Sequence, residues 1–269
     1  MPEILDASFA VYLAIGLVVG FFAGMIGVGG GAIIVPVTTA VFGARGFPAE
    51  HVLRMALATS MASIIFVSFS SMRAHHDHGA VSWTILRQML PGLIAGGFAG
   101  TWLARYIPTL PLAILFAAFM TYAAANMLIG WKPDARTRTP GIVGMSIAGF
   151  LICVVAALVA VGGAAMVIPY LLWCSVPFHT ALGTAAAVGF PISIAATLGY
   201  VVNGWNQSGL PWGSLGYVYL PAVAGIAIGS ALLAPVGARL AHSSSVRTLR
   251  IVMAVVMFGL SIKLIWGLL

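Results

Sequence analysis

Acidic side chains are almost missing from this sequence: five Asp and Glu stand in 269 residues, beside twelve Lys and Arg, for a charged fraction of only 6%. Soluble domains carry about 25% charged residues, so a water-soluble globular protein is excluded. The five acids, Glu3, Asp6, Glu50, Asp77 and Asp134, fall at the terminus or in loops and offer no carboxylate pair for acid–base work. No nucleophile-elbow, zinc-protease or P-loop pattern occurs either, so no enzyme is expected and no catalytic residue is named. Cysteine is equally scarce. Cys153 and Cys174 lie within or at the end of apolar runs without a CxxC spacing, and read as reduced structural thiols. The N-terminus lacks the basic stretch and cleavage site of a signal peptide, and its first apolar segment reads as retained.

What is present is apolar. Hydrophobic residues make up 61% of the chain, and a soluble fold of this length would still expose about a quarter of its unfolded surface. The solvent must therefore be lipid, and at about 20 residues per spanning helix the length allows about eight to ten segments with no extramembrane domain. The formal charge of +7 is spread over short loops, as in a membrane protein, which argues against a nucleic-acid partner.

Apolar stretches run over 9–27, 32–42, 52–72, 84–104 and 112–131. After the polar linker Lys132 to Pro140 they resume over 141–160, 164–174, 180–202, 215–238 and 247–269. Each half reads long, short, long, long, long, and the halves also match in residues. Val28-Gly-Gly-Gly-Ala-Ile-Ile-Val-Pro36 aligns with Val161-Gly-Gly-Ala-Ala-Met-Val-Ile-Pro169, and Ala56-Leu-Ala-Thr59 with Ala181-Leu-Gly-Thr184. Pro91 followed by Gly96 and Gly100 resembles Pro221 followed by Gly225 and Gly229. An internal duplication follows, with repeats over 1–131 and 141–269 forming one membrane domain.

The short segments span only about 16 Å as helix, half a bilayer. If each merely continued the preceding span, the loop Lys and Arg would show no bias between the two sides. If each turns back as a re-entrant half-helix, Arg73, Arg87, Lys132, Arg136, Arg138, Arg239, Arg247 and Arg250 share one side and Arg45, Arg54 and Arg105 the other. The second arrangement satisfies the positive-inside rule. The expected fold class is thus all-α and polytopic, with inverted repeats of four long helices and one half-helix, the 132–140 linker cytoplasmic and both termini outside.

The glycine breaks Gly29, Gly30 and Gly31, and Gly162, Gly163 and Ala164, precede the half-helices. The first N–H groups of a helix lack intrahelical partners, glycine permits close approach, and the helix dipole adds about half a positive charge there. A small-anion site is the chemistry this suits. Thr59, Ser60, the repeat-equivalent Thr184, and Asn203 are candidate uncharged donors to the same anion. Gly16, Gly20 and Gly24 read instead as a packing ladder. His75, His76 and His78 with Asp77 suggest a metal site, but they are adjacent in a connecting loop, so no metal ligand is named. His51 and His179 read as interfacial, with His179 the only helix-borne titrating group. Trp83, Trp102, Trp131, Trp173, Trp205 and Trp212 near segment ends fit an aromatic belt.

Gly27-Val-Gly-Gly-Gly-Ala-Ile-Ile-Val-Pro36, Val161 to Pro169, and Gly209-Leu-Pro-Trp-Gly-Ser-Leu-Gly-Tyr-Val-Tyr-Leu-Pro-Ala222 resemble the signatures of the TauE/SafE family of sulfite exporter-like membrane proteins. The resemblance implies a secondary carrier of small anions in the cell inner membrane, with sulfite, thiosulfate, sulfonates and other organic acids among the substrates. The expected partners are that anion and the lipid bilayer, with a homodimer open as an assembly; no cofactor is expected. A divalent-metal permease and a non-transporting membrane subunit are the alternative readings.

Overall fold

The computed structural model describes residues 7–26, 30–129, 140–243 and 246–266. The first half holds α1 (Ala7–Ile26), α2 (Gly31–Ala44), α3 (Ala49–Asp77), α4 (Trp83–Tyr106) and α5 (Thr109–Ile129). The second holds α6 (Ile142–Val159), α7 (Ala164–Trp173), α8 (Phe178–Gly204), a hairpin of β1 (Ser214–Leu215) and β2 (Val218–Tyr219), α9 (Leu220–Ser243) and α10 (Val246–Trp266). The long-short-long-long-long order recurs in both halves, with 14 and 10 residues in the short helices α2 and α7. Four helices, α3, residues 109–126 of α5, α6 and α8, are long and apolar enough to cross a membrane. Large apolar side chains such as Ile94, Ile114, Ile147, Leu151, Leu198 and Val255 lie exposed on the outer faces of their helices. This is an all-α polytopic membrane protein, and those outward faces are its lipid surface. Trp83, Trp102, Trp173, Trp205 and Trp212 are all exposed near helix ends, as a belt requires; Trp131 and residues 132–139 of the linker lie outside the described residues.

Lipid tails are as apolar as leucine, so helices associate in a membrane through close backbone approach rather than hydrophobic burial. Glycine supplies it here. On α1, a Cβ at Gly16 would collide with the Ile226 backbone of α9 and one at Gly20 with that of Ser230, whose Oγ donates to the Gly16 carbonyl at 3.1 Å. The same arrangement joins α4 to α6, where Gly92, Gly96 and Gly100 face Ser146, Phe150 and Val154. The first long helix of each half therefore packs on the third long helix of the other half, while α3 packs on α8 and α5 on α10.

Both short helices double back. Tyr12, early in α1, meets Arg45 at the end of α2, and Tyr170, late in α7, donates from its Oη to the Met145 sulfur at the start of α6. Each short helix closes with one hydrogen-bond pattern. Gly46 N–H donates to Gly43 and Phe47 N–H to Phe42; Ser175 N–H donates to Leu172 and Val176 N–H to Leu171. These are Schellman turns, with Gly46 at φ +72° and Ser175 at φ +62° in the left-handed position, followed by Pro48 and Pro177 as the lead-ins to α3 and α8.

The hairpin shares one end of the bundle with the close of α2 and the start of α3. Arg45 Nη1 donates to the Tyr219 Oη at 3.3 Å, and the His51 ring lies 5.7 Å from that of Tyr217. At the opposite end the turn before α4 meets the first turns of α8 through Ser82 N–H, which donates to Thr184 Oγ1 at 3.0 Å. The apolar stretch expected over 215–238 does not begin as a helix: its first residues form the hairpin, and α9 starts at Leu220. Expectations are corrected at both ends of α3: Glu50, beside His51, lies in its first turn, and His75, His76 and Asp77 in its last, rather than in loops, so His179 is not the only helix-borne titrating group. Among the described residues no three His, Cys, Asp or Glu gather as a metal site.

Candidate functional site

The two glycine breaks begin their helices identically. Ile33 and Ile34 N–H both donate to the Gly30 carbonyl, and Met166 and Val167 N–H both donate to the Gly163 carbonyl, at 2.8 to 3.0 Å. Neither Gly30 nor Gly163 brings a side-chain cap, so nothing from their own residues competes for the helix start. Gly30, Gly31, Gly162 and Gly163 are buried; Gly29 lies outside the described residues.

The start of α2 faces the close of α6. Ala160 ends α6 in a left-handed conformation, φ 45° and ψ 36°, and is fully buried. Its carbonyl oxygen stands against Gly31 so tightly that a Cβ on Gly31 would overlap it, with Ile64 of α3 alongside. Ser60 Oγ of α3 donates to the same carbonyl at 3.4 Å. Gly31, Ser60 and the peptide just before the second break thus meet at one buried point. Gly163 packs instead against Ile192 of α8, and Ala164 begins α7 at the position that corresponds to Gly31.

The other candidates make different contacts. Thr59 is fully buried and its Oγ1 accepts the Tyr219 N–H at 3.1 Å; Thr184 is fully buried and accepts the Ser82 N–H. The two threonines hold corresponding places, each receiving a backbone N–H from the segment that leads into the other half's third long helix. A hydroxyl that accepts still has its own proton to donate. Asn203 lies about 16 Å along α8 beyond Ile192, where it lines an open groove of about 440 Å³ with Phe98, Trp102 and Gly199. The structure does not bring it to the glycine breaks.

Three features were not legible beforehand. Ala160 is ordinary in sequence, and only its left-handed backbone and buried carbonyl mark it. Ser68 of α3 and Ser193 of α8 sit 3.4 Å apart across the interface between the halves, each also bonded to its own helix backbone. Arg54 caps another helix: its Nε donates to Ala104 O at 3.1 Å and its Nη2 to Arg105 O at 3.3 Å and Ile107 O at 2.9 Å, while Nη1 returns to Glu50 O at 3.0 Å. At this end burial pushes the Tyr217 phenol above its ordinary value, against the pull of Arg54 and Arg105. Of the titrating groups, His179 is exposed in the first turn of α8, whereas His51 is buried in the first turn of α3 with no described partner for Nδ1.

Comparison with known proteins agrees with this architecture. A Haemophilus influenzae protein named "Probable membrane transporter protein" is 31% identical over 241 residues, covering 88% of this chain and 90% of its own. A Methanocaldococcus jannaschii protein of like name is 25% identical over 260 residues, covering 93% and 94%. The Bacillus subtilis protein YdhB, named likewise, is 26% identical over 200 residues, covering 69% and 76%. No solved structure gives a significant match. The family model described as "Sulfite exporter TauE/SafE" matches residues 12–264, and the chain belongs to this family of membrane transporters.

Proposed function

We propose that the chain is a secondary transporter that exports small anions across the cell inner membrane. Sulfite, sulfonates and related sulfur oxyanions or organic acids are the substrate class. The observation that carries this is the meeting of Gly31, Ser60 and the Ala160 carbonyl at the start of a half-helix. A helix start is a ready anion receptor, Ser60 adds a neutral donor, and the site is buried where water does not weaken either. In this conformation a carbonyl oxygen occupies the place a substrate oxygen would take. Withdrawal of the Ala160 peptide, which already sits in a strained left-handed state, opens the site. Alternation then moves the glycine-packed pair α1–α9 against the pair α4–α6 along the α3–α8 contact.

The halves are inverted repeats in this reading. Support comes from which ends meet: Arg45 bonds the hairpin that follows α8, and Ser82 before α4 bonds the start of α8. A continuous α1–α2 span would set each pair at opposite ends. With the basic residues of 132–140 and their neighbours cytoplasmic, both termini lie outside.

The test is thermal stabilisation of the purified chain by sulfite, thiosulfate, taurine, sulfoacetate and simple carboxylates. At a hundred times Kd a ligand stabilises by about 2.7 kcal/mol, or about 5–10 °C at this chain length. Ser60→Ala should weaken the effective anion about tenfold, and Gly30→Val should abolish the shift. Equal stabilisation of both variants and wild type would remove the glycine break from the mechanism.

A further inference from the structure

Arg45 terminates α2 at the hairpin end of the bundle, and no carboxylate is among its described partners. Its Nη1 donates to Tyr12 Oη at 2.9 Å and to Tyr219 Oη at 3.3 Å, and its Cζ lies 5.4 Å from the Phe47 ring centroid. The ion pair found among the described residues, His51 with Glu50, leaves Arg45 out. Tyr12 and Tyr219 are buried and locked with Phe42 and Phe47 into one cluster, with ring centroids 5.1–6.2 Å apart. The arginine itself is exposed. Its Nε and Nη2 are not spent in these bonds, and each phenol that accepts from Nη1 keeps its own O–H to donate.

The geometry points to a second anion site here, in which the Arg45 guanidinium and the Tyr12 and Tyr219 hydroxyls receive a small oxyanion at the mouth of the transporter. The proposal rests on the anion-transport reading and adds to it a holding site on the outer face, the last stop of an exported anion and the first of one that enters from that side. A fork of N–H groups beside two hydroxyls suits the oxygens of a sulfite or sulfonate and offers nothing to a cation. Among the described residues at this end Arg54 and Arg105 outnumber Glu50. The α2 helix, about 21 Å long, separates this site from Gly31. Tyr219 links the two: its hydroxyl takes the Arg45 bond while its N–H donates to Thr59, next to Ser60 on α3. Capture at Arg45 competes for the bond that holds Tyr219, and so reaches the helix beside the break.

The experiment is calorimetric titration of anaerobic sulfite into the purified full chain in nanodiscs at low ionic strength, with transport in proteoliposomes alongside. Wild type should show two classes of site. Arg45→Gln should lose the salt-sensitive class and raise KM about tenfold at low salt for anion presented at the hairpin end, with the maximal rate unchanged. Arg45→Lys should fall between, and Tyr219→Phe, which keeps the ring, should weaken the same class only. Ser60→Ala should weaken the other class and leave this one. If Arg45→Gln melts lower but keeps both classes and the wild-type KM, Arg45 is a structural staple and the proposal is overturned. If a single class is seen and Arg45→Gln removes it, the Arg45 site stands and the glycine-break reading fails. A wild type that binds no sulfite overturns both.

Discussion

Replacing Arg54 by methionine removes the guanidinium but keeps an apolar stem of similar length, and so isolates its four bonds. Two of them, to Ala104 O at 3.1 Å and Ile107 O at 2.9 Å, are partly buried; the other two are exposed. The last four carbonyls of a helix have no intrahelical partner. Ile107 N–H serves that of Leu103, and Arg54 serves those of Ala104 and Arg105. A hydrogen bond from a charged donor contributes about 1.5–3 kcal/mol, so the two partly buried bonds at the low end give about 3 kcal/mol, while the exposed pair adds little. At this chain length that corresponds to a melting point lower by about 6–12 °C, read by intrinsic tryptophan fluorescence in a fixed detergent. Arg54→Lys, a point charge that cannot fork across three carbonyls, should recover less than half of the loss. A melting point for Arg54→Met within about 2 °C of wild type would refute the reasoning, because it would mean that water or detergent satisfies those carbonyls equally well.

Other outcomes follow from the same chemistry. Ser175→Gly should stabilise by about 1 kcal/mol, since a residue with a Cβ pays to sit at φ +62°; an unchanged or lower melting point counts against the Schellman turn closing α7. A cysteine at Ala135, in a background lacking Cys153 and Cys174, should be shielded from an impermeant reagent added to intact cells, and ready labelling would reverse the orientation. Moving one charge through 100 mV yields about 2.3 kcal/mol, enough for a roughly 50-fold gradient of a monoanion. Clamping the potential with valinomycin and matched K⁺ should therefore stop net flux, while flux that follows the pH gradient and fails in His51→Ala or His179→Ala would mark a proton-coupled carrier.

The helix inventory could be read from the sequence because lipid forces every span to be a long apolar run, and a short one announces itself by length. The half-helix starts were legible for the same reason: Gly-Gly followed by an apolar run with Pro36 or Pro169 has few other uses at membrane depth. What escaped was tertiary. Thr59 and Thr184 looked like substrate donors, and their duplication was real, but which backbone N–H each receives depends on how the two halves interlock. Ala160 carries no signal in its side chain, since its contribution is a carbonyl set by φ and ψ. Arg54 and Arg45 were counted as loop charges, because a sequence does not say which helix end or which phenol a long side chain reaches. His75 and His76 were set in a loop because hydropathy falls off there, yet a helix projecting past the apolar layer can carry polar residues in its last turn.

The exchange of first and third long helices has a consequence in time. Ser230, which locks onto Gly16, lies 214 residues later in the chain. At about 5–20 residues per second of synthesis, the glycine face of α1 waits about 10–40 s before its partner exists. During that interval lipid or the insertion machinery must cover a groove shaped for a helix not yet made. Helix α1, made before its partner α9, is thus among the last to be fixed in place, and the nascent chain is most vulnerable to mispairing through Gly16 and Gly20.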